Sequence, residues 1–226
     1  MHENVGRGAV APDELPRLFQ EGEPAEDYRV HYTGIYTTSL LISGGHMGGG
    51  EFERELKGIL EARPDILARV TRTCPPDEAE NYGRIVLFPF MVIRAAGSFG
   101  IDLVAFREGI LLPIEVKSSI RRRLWLGSEK HVRQVEGFHE SCRRSGVVPV
   151  YAFRLKGQRG DAWRVFTAGD LEPIGLSRLL FDVLPRVAIT GSDRVVLPWE
   201  EGMPLNRFIA YLSTLLGPSD ASPDVP

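Results

Sequence analysis

Two apolar runs, Ile101–Phe106 and Ile110–Val116, each carry a carboxylate where a buried strand should have none, and this anomaly constrains the chain more than any other feature. Both runs are rich in Ile, Val, Leu and Phe, and only Arg107, Glu108 and Gly109 separate them, which predicts two strands joined by a tight hairpin. With Glu108 and Gly109 as the loop, Arg107 pairs with Ile110, and counting back along both strands sets Asp102 opposite Glu115. That pair falls in the non-hydrogen-bonded class, with Cα atoms about 4.5 Å apart. Carboxylates so close repel, and are tolerable only if protonated or if a cation sits between them. Hard oxygen ligands point to magnesium or manganese rather than zinc. Lys117, two residues past Glu115, emerges on the same face because strand side chains alternate.

An isolated Asp at a strand start is commonly a turn former, and Glu-x-Lys on an exposed strand is commonly a solvated ion pair. The flanks argue otherwise. Ile101, Leu103, Val104, Leu111, Leu112, Ile114 and Val116 predict strands buried on both faces, where an unpaired charge costs several kcal/mol. Pro113 lacks a ladder donor, and in this register it faces Val104 in a non-hydrogen-bonded pair, where none is needed.

An Asp followed after a short hairpin by Glu-x-Lys resembles the PD-(D/E)xK nuclease signature. Four segments in series narrow the resemblance: GGEFEREL, VIRAAGSFGIDLVAF, LLPIEVKSS and VRQVEGFHESCRRSGVVPVYAF, within residues 48–166, resemble an archaeal-type Holliday junction resolvase in order and spacing. The resemblance implies an α/β, restriction-endonuclease-like mixed sheet flanked by helices. It further implies a homodimeric endonuclease that resolves four-way DNA junctions in recombination and repair with Mg²⁺, for which Mn²⁺ can substitute. Matched residue by residue, Glu53, Asp102, Glu115 and Lys117 become the catalytic set and Ser98 positions the phosphate. Asp102, Glu115, the Val116 carbonyl and Glu53 become the metal ligands. Arg54, Arg94 and Ser98 become DNA contacts, and Gln134, which matches a glutamine of many such nucleases, is counted with them. Two features depart from the family pattern: a longer segment over residues 63–90, and acidic ends. A nuclease cutting duplex or flap DNA would share this chemistry, and a non-catalytic junction-binding protein would share the fold; the intact quartet argues against the latter.

Charge distribution suits this reading better than net charge does. The whole chain carries −3, but residues 51–160 hold 19 Lys plus Arg against 14 Asp plus Glu, while the remainder holds 8 against 16. A basic centre with acidic ends fits a phosphate-handling core. Within it, Arg121, Arg122 and Arg123 lie in an expected loop, SSIRRRLWLG, as either a solvated patch or a grip on DNA backbone, with Trp125 packing on the core or stacking at the branch point.

The two cysteines, Cys74 and Cys142, and five scattered histidines give neither a disulfide framework nor metal-ligand spacing. No stretch approaches the roughly 20 apolar residues of a membrane helix, and a cytoplasmic location is expected. Residues 1–47 are read as a leader or N-terminal extension, with a short strand over 34–42 and Met47 as a candidate start. The nuclease core follows over 48–168, then a C-terminal extension packing on it over 169–216 and a disordered tail over 217–226. The expected elements run as a helix over 51–62, a short helical piece and then a loop over 64–82, a strand over 84–94, the hairpin, a helix from Ser128 to about Arg144, and strands over 147–155 and 163–166. Beyond these come a short helix within 169–185, a strand over 195–198 and an amphipathic helix over 205–216.

Overall fold

The computed structural model describes residues 50–95, 100–126, 129–189 and 195–216. The expected strand over 34–42, Met47, Ser98, the Ser128 cap and the C-terminal tail lie outside the described residues. Within them the chain adopts the expected α/β architecture, a mixed sheet flanked by helices.

The first helix, α1 (Gly50–Leu60), buries Phe52, Leu56, Ile59 and Leu60 on one face and carries Glu51 and Glu53 in its first turn, where the helix dipole favours anions. Two short helices follow, α2 (Pro64–Thr71) and α3 (Pro76–Gly83). The second replaces the loop expected over CPPDEAENYG. Each opens with Pro in its first turn, where a missing N–H costs nothing, and Asp77 and Glu78 complement the dipole of α3. The strand expected over 84–94 is likewise shorter. Arg84–Leu87 forms a 3-10 turn, and only β1 (Met91–Arg94), beyond Pro89, joins the sheet.

The central hairpin comprises β2 (Leu103–Arg107) and β3 (Ile110–Ser119), with β1 antiparallel along the outer side of β2. Past β3, the arginine segment is not wholly a loop: β4 (Arg123–Leu126) leaves the main sheet. The helix α4 (Glu129–Ser145) then carries the chain to β5 (Val150–Leu155), which pairs parallel to β3, and β6 (Trp163–Thr167) returns antiparallel. After α5 (Gly175–Val183) come β7 (Ala188–Ile189), β8 (Val195–Pro198), β9 (Met203–Pro204) and α6 (Leu205–Leu216). The six-stranded sheet runs β1-β2-β3-β5-β6-β9, and a second sheet runs β4-β8-β7. β4 owes its strand to β8, a partner some seventy residues away by the register Arg123↔Pro198, which local pattern cannot reveal.

Each face of the main sheet has its own core. Leu103, Ala105, Leu112, Ile114, Val150 and Ala152 pack with α1, α5 and α6; Tyr151, Phe153 and Phe166 pack with Phe138 and Cys142 of α4 and with Leu126 and Leu197 of the second sheet. A buried carboxylate joins three elements. Asp161 accepts from Tyr82 Oη (2.8 Å) and Trp163 N (2.9 Å) at one oxygen, and from Asn206 N (2.9 Å) and Nδ2 (2.8 Å) at the other. No described helix is long and apolar enough to cross a membrane.

Candidate active site

The hairpin turn sets the site. Glu108 and Gly109 both take positive φ, 43° and 82°, as a two-residue turn matched to strand twist requires. The register is the expected one: Arg107 opposes Ile110 and Val104 opposes Pro113. At its far end the ladder changes. Leu103↔Ile114 is the last strand pair, so the expected Asp102–Glu115 pair does not form in the ladder: the register slips, Asp102 N donating to Ile114 O (2.9 Å) while Ala95 N donates to Asp102 O (2.9 Å). Where the next ladder bond would fall, the Asp102 carboxylate substitutes for a strand partner, with Oδ2 accepting from Val116 N at 2.7 Å. Asp102 is therefore fixed by its backbone and its side chain together.

The Val116 bond also orients a carbonyl. Within a strand residue N–H and C=O point to the same side, so the Val116 carbonyl opens toward Asp102 and away from the β3–β5 ladder.

Glu115 stands next to Asp102 and is only 3% exposed. Its Oε1 accepts from Lys117 Nζ and, at 3.4 Å, from Gln134 Nε2 of α4. Its Oε2 is buried without a hydrogen-bond partner among the described residues. Burial pushes the Glu115 carboxyl up to about 7 against the pull of Lys117, and the neighbouring Asp102 adds to the rise. The pair and Lys117 thus converge as expected, and Gln134, expected among the DNA contacts, instead joins them from α4, which covers this face. Gly100, Glu115, Lys117, Gln134, Phe138 and Tyr151 line a cavity of ≈ 10 Å³ there, room for about one water. Gly100 needs its positive φ of 76°, and a Cβ on it would meet the Gln134 carbonyl at 3.0 Å, so glycine lets the loop pass under α4.

An unpartnered buried carboxylate oxygen, an adjacent carboxylate and an inward backbone carbonyl form a set of hard oxygen donors, which fits Mg²⁺ or Mn²⁺. Glu53 does not complete a third carboxylate there. It is held by Arg94 Nη2 at 2.5 Å, and among the described residues no three His, Cys, Asp or Glu side chains gather in one metal-binding group. Arg94 ends β1 one residue before Ala95, and Arg54 lies beside it across Gly50.

The other expected contacts are dispersed. Arg122 is committed to Glu200 (3.0 Å) and Gln158 (3.2 Å) and lies over the Trp199 ring, whereas Arg121 and Arg123 are exposed. Trp125 is 53% exposed on β4, which removes the core-packing alternative. Burial on both faces also holds only in part. Leu112 and Ile114 are buried, but Leu111 is exposed and Val104 and Phe106 are half-buried, because no described element covers that end of the hairpin on the α4 side. Sequence reasoning missed Tyr151, which the parallel register sets beside Glu115 and whose hydroxyl meets His139 Nε2 at 3.0 Å. A parallel partner is set by tertiary structure, and no local signal announces it.

The sequence model described as archaeal Holliday junction resolvase (Hjc) matches residues 89–178. The crossover junction endodeoxyribonuclease Hjc of Methanocaldococcus jannaschii is 30% identical over 110 residues, which span 49% of this chain and 61% of that protein. The structure of Archaeoglobus fulgidus Hjc, a Holliday junction resolvase, aligns at 23% identity and a TM-score of 0.36, covering 55% of this chain and 88% of that one. The stretch that builds the site thus matches the archaeal Holliday junction resolvase family, and that family is what this chain is similar to.

Proposed function

We propose that the chain is a metal-dependent endonuclease that nicks four-way DNA junctions during recombination and repair, acts as a homodimer and works in the cytoplasm. The observation that carries the reading is the Glu115 carboxylate, buried beside Asp102, tied at one oxygen to Lys117 and Gln134 and without a partner at the other among the described residues. In this reading Asp102, Glu115 and the Val116 carbonyl hold Mg²⁺ or Mn²⁺, which when bound polarises the scissile phosphate and lowers the pKa of a water.

Lys117, on the same strand face as Glu115, orients the attacking water and offsets the negative charge that grows on the phosphoryl oxygens. The water oxygen bonds to phosphorus, the bond from phosphorus to the 3′-oxygen breaks, and the products are a 5′-phosphate and a 3′-hydroxyl. Gln134 fixes the Glu115 oxygen that Lys117 shares, which keeps the other oxygen aimed into the site. A DNA phosphate engaging Arg94 competes with Glu53 for that guanidinium, so substrate arrival frees the Glu53 carboxylate for a metal or water contact. Arg54, Arg121 and Arg123, exposed and without ion pairs among the described residues, serve as backbone contacts. Ser98 keeps its phosphate role on the family pattern alone.

The dimer reading rests on an apolar patch that no described element covers. Met91 and Ile93 are 62% and 55% exposed on edge strand β1, and the register continues them into Phe106 with Leu111 and into Val104. Alternation puts this patch on the sheet face that carries Glu115. A two-fold contact there would present two equivalent sites, which paired nicks in opposing strands require. The reading is tested by cleavage with Mg²⁺ of a four-way junction, a flap and a linear duplex of shared sequence. Preferential, paired nicking of the junction is expected; equal cutting of the duplex would make the chain a general nuclease, and no cutting with retained junction binding would make it a binding protein.

A further inference from the structure

On the α1 side of the main sheet, α1, α2 and the β5–β6 turn enclose a recess of ≈ 400 Å³ whose wall carries Arg69, Arg72, Arg154, Lys156 and Arg159 against two acids, Glu51 and Glu55. Glu55 is already satisfied. It is buried, and it accepts from Arg154 Nε (2.8 Å) and Trp163 Nε1 (2.9 Å) with Arg69 at 3.5 Å. Arg72, Lys156 and Arg159 are exposed and form no ion pair among the described residues. Three unneutralised cations around one concavity repel one another and raise the local positive potential.

Two further observations give the recess a direction. Its turn is pinned rather than loose: Gly160 N donates to Thr73 Oγ1 (3.0 Å) and Asp161 N to Glu78 Oε2 (2.9 Å), so the α2–α3 segment, where this chain departs from the family pattern, fixes where Arg159 and Lys156 stand. A second recess of ≈ 410 Å³ adjoins it, sharing Glu51, Glu55 and Arg69 in its lining and reaching Arg54 and Arg94. Arg94 is followed by Ala95, whose N–H donates to the Asp102 carbonyl (2.9 Å). A band of basic side chains, interrupted by Glu51 and Glu55, therefore runs from Arg94 at the end of β1, past α1 and α2, to the β5–β6 turn.

We propose that this band is a track for the phosphodiester backbone of one DNA arm, with Arg72, Lys156 and Arg159 as its distal phosphate contacts; the inference rests on the nuclease reading and adds a second anchorage remote from the cut. The contacts are to phosphates and carry no base information, so the track positions the arm without selecting its sequence. Its ligand chemistry, an oxyanion, is shared by DNA phosphates and by free phosphate. The spread of basic side chains over two adjoining recesses favours DNA, whose phosphates recur along a backbone.

The test compares wild type with R72A/K156A/R159A in Mg²⁺-free buffer, measuring affinity for a four-way junction across about 50–200 mM salt, with the charge-preserving R72K/R159K as control. For the triple variant the slope of log K against log salt should shrink by up to ~3, about one per lost phosphate contact, with affinity falling 10-fold or more. The lysine variant should keep the wild-type slope, and all three proteins should melt together. An unchanged slope in a folded triple variant overturns the track. Titration with inorganic phosphate covers the other source: variant-sensitive phosphate binding with an unchanged DNA slope assigns the recess to a free anion and also overturns the track. Failure of the nuclease reading looks different, because wild type then cuts no junction whatever the slope.

Discussion

One oxygen of Glu115 is tied to Lys117 and Gln134, the other has no hydrogen-bond partner among the described residues, and the whole carboxyl is buried beside a second acid. An acid held up at about 7 from an ordinary 4.5 keeps its proton in the folded chain over a pH range where the unfolded chain has lost it. Its contribution to stability is therefore fully present below the unfolded value and disappears as pH rises through the folded one. Metal-free protein should lose stability between the two values, on the order of 3 kcal/mol. E115Q should abolish that loss, melting higher than wild type at about pH 8 and much like it at about pH 4; parallel pH profiles of the two proteins would remove the buried-carboxylate argument. At this scale the sequence was most informative. A carboxylate in each of two apolar runs, with a two-residue turn between them to set the register, sufficed to bring Asp102, Glu115 and Lys117 together. Gln134 was singled out by resemblance, and its hydrogen bond to Glu115 comes from the α4–β3 contact rather than from any local pattern.

Elements were legible where their partners were near in sequence. The hairpin, α1, α4 and α6 follow from periodicity and turn chemistry, because their apolar faces are written into single short segments. Three others depend on distant partners or on competing local signals. The stretch CPPDEAENYG has loop composition, yet Pro in the first turn and the acids after it start α3, and Tyr82 then reaches Asp161 across the core. β4 exists through β8. Val86 and Leu87 look like strand residues but stand exposed in a 3-10 turn. The Asp161 clamp binds α3, β6 and α6 through four donors, and removing it strands those donors in the interior. D161A should cost about 3 kcal/mol, with a matching drop in denaturation midpoint and no specific effect on metal binding; a loss under about 0.5 kcal/mol would show the clamp is redundant.

The proposed function asks of the whole molecule a surface that would pair two sites and a metal ion that would serve them. If Met91, Ile93 and Leu111 form the two-fold contact, I93E should give a monomer by light scattering and cut junctions with single, uncoupled nicks at a similar rate per strand. A variant that stays dimeric would move the interface elsewhere. The central claim, that Asp102 and Glu115 are a metal site, is tested most directly by D102N, since an asparagine Oδ1 can still accept from Val116 N while the metal-ligating charge is gone. Junction cleavage should be measured for wild type and D102N, together with melting temperature with and without Mg²⁺. The account predicts no detectable nicking by D102N, junction binding as tight as wild type or tighter, an equal or higher metal-free melting temperature because the repulsion with Glu115 is relieved, and loss of the Mg²⁺-induced rise. Robust nicking by D102N, or a metal-independent drop in its melting temperature with turnover intact, would contradict it.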